Sequence, residues 1–90
     1  MNYSLGEETK GLIEEVLELA NLGNDYEVIS QDLRNISLAI KGKLYAIRIF
    51  NLDEKELTFF LYEFGENNSI CLLYQGLYDF EEKIIVNYVD

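Results

Sequence analysis

The sequence has no histidine, no proline and no tryptophan, and its 90 residues include one cysteine, one methionine and seven basic side chains. Each shortage excludes something. Without histidine there is no Ser-His or Cys-His nucleophile pair and no imidazole metal ligand. One cysteine makes neither a disulfide scaffold nor a Cys₄ zinc site. Seven bases against 17 acids give a formal charge of −10, which argues against direct binding of nucleic acid or an anionic membrane. No G-x-x-x-x-G-K-[ST] or G-x-G-x-x-G stretch is present to cradle a phosphate. The longest apolar runs, Phe59 to Tyr62 and Ile70 to Tyr74, are far too short for a bilayer span. Glu7, Glu8, Glu14, Glu15 and Glu18 in the opening stretch do not fit a secretory signal. The expected location is cytoplasmic.

The apolar share is 49%, enough for a packed core, and the length suits a single domain over 1–90. No linker, repeat or low-complexity tract interrupts it. The first segment has helical spacing. Leu12, Ile13, Val16, Leu17 and Ala20 fall on one side, and the glutamates cover the rest. Ser4 and Glu7 have the spacing of a capping box, and Gly23 follows Leu22 as a stop residue, so the predicted helix covers 5–22. Gly6 and Gly11 are awkward inside it. They mark a later start near Thr9 or a close contact.

After Asn24 the period falls to two. Short β-like runs are predicted at Tyr26 to Ser30, Ile36 to Ile40, Leu44 to Phe50, Leu57 to Phe64 and Ile70 to Gln75. Lys41-Gly42-Lys43 predicts a tight hairpin, and Gly65 to Ser69 a second turn. The tail reads as strand in preference to helix, because Ile84-Ile85-Val86 is β-branched. The fold class is α+β: one N-terminal amphipathic helix packed on a mostly antiparallel sheet of five to six strands. Leu44, Phe50, Phe60, Tyr62, Phe64 and Leu73 run out of phase with Ile47, Phe59, Leu61 and Leu72. Both faces of the central strands are therefore apolar. One helix cannot cover both. The sheet is expected to curl toward a partial barrel, or to bury its second face against a partner or another copy.

No catalytic, cofactor or metal site is expected. Glu63, flanked by aromatics, is the best candidate for a half-buried acid. Asp53-Glu54-Lys55-Glu56 lacks the ligand ladder of a calcium loop and reads as a solvated turn. Cys71, between Ile70 and Leu72, reads as a small core residue.

The charge imbalance points to a binding role. Glu7, Glu14, Glu15 and Glu18 line the helix, and Tyr78, Asp79, Glu81 and Glu82 form the densest acid-plus-tyrosine stretch. These eight residues are the candidate partner-binding set. They suit a basic protein, a nuclease or other nucleic-acid-binding protein, whose groove normally holds phosphate. The expected function is a non-enzymatic inhibitor: a phage anti-defence protein of the anti-CRISPR type, or an immunity protein held against a nuclease toxin. The alternative is an interaction module that forms a homodimer or joins a larger assembly.

Overall fold

The structure, a computed structural model, describes residues 6–32 and 34–89, with side chains described over 9–32 and 34–86. One helix, α1 (Gly6–Leu19), precedes six strands: β1 (Glu27–Gln31), β2 (Asn35–Ile40), β3 (Lys43–Phe50), β4 (Glu56–Phe64), β5 (Ile70–Asp79) and β6 (Ile84–Val89). The strands pair in sequence order, every pair antiparallel, as an open meander. The fold is α+β, with the helix packed on a sheet that does not close. A barrel is thus not how the second apolar face is handled. That face stays open.

The inner face holds the core. Ile36 and Leu38 of β2 stand opposite Ile47 and Tyr45 of β3, and Ile47 and Ile49 stand opposite Leu61 and Phe59 of β4. Leu12, Ile13, Val16 and Leu17 of α1 join them, each at most 2% exposed. Glu14 and Glu18 of the helix are exposed. Burial of this many branched and aromatic side chains is the main stabilising term.

The helix stops earlier than predicted. The Leu22 amide donates to the Leu17 carbonyl at 2.9 Å and the Asn21 amide to the Glu18 carbonyl at 3.0 Å. That is a Schellman closure with Asn21 in the left-handed C′ position, at φ 59°. Gly23 lies two residues further on, in the loop. Asparagine tolerates the left-handed region because its short amide bonds locally, so no glycine was needed. The Ser4–Glu7 capping box lies outside the described residues.

Gly11 is inside the helix, and a close contact explains it. A Cβ at Gly11 would lie 2.9 Å from the Tyr78 hydroxyl oxygen. The predicted hairpin turn is two residues long, with Ile40 paired to Lys43. Lys41 and Gly42 both have positive φ, 50° and 83°, the type I′ geometry that matches strand twist.

The β1–β2, β3–β4 and β5–β6 connections lie at one end of the sheet, as an antiparallel meander requires. Each is built the same way. Oδ1 of Asp32 accepts from the Arg34 and Asn35 amides, Oδ1 of Asp53 from Lys55 and Glu56, and Oδ1 of Asp79 from Glu81 and Glu82, all at 2.8–2.9 Å. These are Asx turns. The Glu56 amide, then the Lys55 amide, holds the Asp53 carboxyl below its usual range. The solvated-turn reading of Asp53 to Glu56 matches this geometry.

A bulge in β5 alters the phase of that strand. Leu61 pairs with Tyr74 and Tyr62 with Leu72, so Leu73 is the extra residue. Leu72 therefore joins Tyr62 on the outer face, at 45% exposed, while Leu73 packs against the core. The sequence reading had the two reversed. Cys71, one step further along, is exposed. It stands opposite Glu63 on the inner face, but one residue from the start of β5 and beyond the packed core, so the expectation that it fills the core is corrected.

Candidate binding surfaces

Four of the eight predicted partner-binding residues stand on α1. Glu14 and Glu18 are exposed and Glu15 is half-buried, while the Glu7 side chain lies outside the described residues. Glu15 and Glu18, with Leu19, Ile84 and Ile85, line an open groove of about 430 Å³ between the helix and β6. Glu14, Glu15 and Glu18 also border a second hollow of about 400 Å³ with Asn21, Gly23 and Asn24. The first groove has an apolar floor and an acid rim. Such a surface accepts the aliphatic stem of a lysine or arginine along the floor and its charge at the rim. Among the described residues no ion pair involves Glu14, Glu15 or Glu18; the ion pair present is Lys43 with Glu63, at 3.6 Å.

The second half of the predicted set separates. Tyr78 is 1% exposed, in the core, so it presents no surface and is not a partner contact. Its ring meets Phe80 edge to face, with centroids 5.9 Å apart. Strand alternation and pairing with Leu57 aim it inward. Asp79 commits one carboxylate oxygen to the turn that follows it. Glu81 and Glu82 are exposed in that turn and line neither helix groove.

Glu63 stands opposite Tyr45 across β3 and β4. Burial of Tyr45, and then its hydrogen bond to the Glu63 carboxylate, raise the phenol above its ordinary value of 10.0. Below pH 10 the phenol is protonated in both folded and unfolded chains, and its contribution is intact. Above it the unfolded chain ionises first, so stability falls as pH rises toward the raised folded value. Urea titrations at pH 8 and pH 11 should show a larger loss for the wild type than for Tyr45→Phe. Equal losses would mean that Tyr45 does not set the alkaline limb.

The outer sheet face is the second surface. Leu44, Phe64 and Ile70 form one cross-strand row; Ala46, Tyr62 and Leu72 the next; Arg48, Phe60 and Gln75 a third; Phe50, Thr58 and Leu77 a fourth. Phe50 and Phe60 meet edge to face at 4.8 Å, Phe60 and Tyr62 stack at 6.3 Å, and the Arg48 guanidinium lies 5.4 Å from the Phe50 ring centroid. Four of these side chains are large, apolar and well exposed: Leu44 at 49%, Phe64 at 37%, Ile70 at 62% and Leu72 at 45%. In a chain with 17 acids, these four rows contain none. Acids appear at the rim, as Glu56 paired with Asp79 and as Glu27 on β1. The out-of-phase residues in the sequence had signalled an apolar second face. They gave no sign that it would be free of acid.

Among the described residues no cluster of three His, Cys, Asp or Glu side chains could hold a metal ion, and no helix is long and apolar enough to cross a membrane. No protein-family model, curated protein or solved structure matches the chain.

Proposed function

We propose that this protein is a small acidic inhibitor that binds and neutralises a basic nucleic-acid-processing protein. The observation that carries the reading is a set of helix acids with no ion pair among the described residues, beside an apolar-floored groove: Glu14, Glu15 and Glu18 with Leu19, Ile84 and Ile85. Acids tied up in internal pairs would have little left to offer a partner. These face outward, and the surplus of −10 draws a basic surface in from solution. Carboxylates take the place of phosphates in the target's groove, and the apolar floor supplies anchoring contact. Two settings share this chemistry, an anti-defence protein of a phage and an immunity protein against a nuclease toxin.

The test compares the wild type with Glu14→Lys/Glu15→Lys/Glu18→Lys. Both are tagged, exposed to lysate of the native host and washed at rising salt. The expected result is near-stoichiometric capture of one basic nucleic-acid-binding protein by the wild type. The triple variant, still folded by circular dichroism, should lose at least about tenfold in affinity for it, mainly through slower association. Equal capture by both would remove the helix acids from the interface. A captured partner that is itself acidic would sink the inhibitor reading.

A further inference from the structure

We infer that the outer sheet face is the seam of a homodimer: two copies pack face to face, centred on β3, β4 and β5, with both α1 helices turned outward. This goes beyond the inhibitor reading and rests on a different surface.

Charge selects the occupant. The four rows between Leu44 and Leu77 carry one charged residue, Arg48, and no acid. A basic partner would find nothing there to pair with. Nucleic acid and anionic lipid are repelled by the chain as a whole. A second copy presents the same acid-free rows, with Arg48 as their one charge, and the acids of both copies stay at the rim.

Symmetry then settles Arg48. With the two-fold axis along the strands, β4 faces itself, so Tyr62 and Phe60 meet their own copies. Arg48 then faces Gln75 of the second copy, a neutral acceptor. With the axis across the strands, Arg48 faces Ala46. Neither arrangement sets the two arginines against each other. Aligned sheet packing of this kind is the usual geometry of two apolar sheet faces.

Area sets the strength. On β2, Ala39 and Ser37 extend the first two rows, opposite Leu44 and Ala46, and they too are uncharged. Four strands, β2 to β5, spaced about 4.8 Å apart and some 20 Å long give a plan of roughly 400 Å² per copy. Corrugation by the exposed Leu44, Phe64, Ile70 and Leu72 raises the accessible area above that. Two copies together then reach about 1,000 Å², the lower end for a specific interface. The dimer should therefore be reversible, with a dissociation constant on the order of micromolar to tens of micromolar. Salt should tighten it by screening the two −10 charges, the reverse of its effect on capture of a basic partner.

Sedimentation velocity on the purified protein, from about 1 to about 200 µM, tests this. The expected result is a shift with concentration from the 10.5 kDa monomer to twice that mass, strengthened by added salt. Ile70→Lys and Leu72→Lys change exposed positions, so both should remain folded. Each should weaken dimerisation about 100-fold or more, because a lysine would be buried at the seam. Glu14→Lys/Glu15→Lys/Glu18→Lys should not weaken it. A wild type that stays monomeric throughout would overturn the inference. A dimer that survives both seam variants but dissociates with Ile29→Lys, on the exposed edge strand β1, would overturn it in favour of edge pairing. Loss of partner capture with an intact dimer would count against the inhibitor reading alone.

Discussion

Replacing Phe59 with alanine should remove about 3–5 kcal/mol of folding stability. The ring is completely buried, at the centre of β4. Its in-register neighbours are Ile49 on β3 and Gly76 on β5. Gly76 has no side chain, so the residue directly in register on that side cannot relax into the space left by the ring. The cavity term is therefore expected near the top of its range, since the cost of truncation depends on how far a site can collapse. A domain of this size has roughly 5–15 kcal/mol in total, and one substitution would consume much of it. Phe59→Leu keeps most of the volume and should cost less than about 2 kcal/mol. Phe60→Ala is the matched control, because its ring lies on the open outer face and is only half-buried. Urea unfolding of the three variants measures the contrast. If Phe59→Ala and Phe60→Ala cost the same, the helix does not lie on the face assigned to it.

What was legible in the sequence was periodicity. The 3.6-residue spacing from Leu12 to Ala20 marked the helix. The period-two runs marked the hairpins on either side of Gly42 and of Gly65 to Ser69. A β-branched tail pointed to the last strand. Most of the errors depend on the register between elements, which no local pattern carries; the helix end is a local exception. A single inserted residue in β5 reversed the faces of Leu72 and Leu73, and Cys71 is in solvent because it lies at the end of the sheet, beside the turn from β4. The helix end was misplaced because Asn21 can adopt the left-handed conformation that glycine was expected to supply. Tyr78 was read as surface from its acidic neighbours, yet its direction is set by pairing with Leu57 on another strand. Of the candidate site, the helix glutamates were readable as a charged face. The groove beside them was not, because Ile84 and Ile85 arrive from the far end of the chain.

That dependence on long-range contact extends to the helix and β5, and there it yields the second large effect, with a sign that opposes intrinsic propensity. Glycine to alanine within a helix normally stabilises by about 1 kcal/mol. At Gly11 it should destabilise instead, by about 1–2 kcal/mol net, because the new methyl would stand 2.9 Å from the Tyr78 hydroxyl oxygen. An exposed tyrosine could swing its tip aside at little cost. Tyr78 is 1% exposed and packed against Phe80, so either the ring or the helix must move as a body. Tyr78→Phe removes the oxygen and keeps the ring. In that background Gly11→Ala should recover its ordinary helix-stabilising sign. The double-mutant cycle should give a coupling of about 2–3 kcal/mol, and whatever else the hydroxyl bonds to is lost in both corners that carry Tyr78→Phe and so cancels. Purely local behaviour, with Gly11→Ala stabilising the wild type and zero coupling, would mean that the helix does not approach β5 at Gly11. A coupling of the expected size would fix one point at which α1 lies against β5. Glu15 and Glu18 stand one to two turns further along the same helix and share a groove with Ile84 and Ile85 of the next strand, so a contact that anchors the helix at Gly11 also limits where that groove can lie.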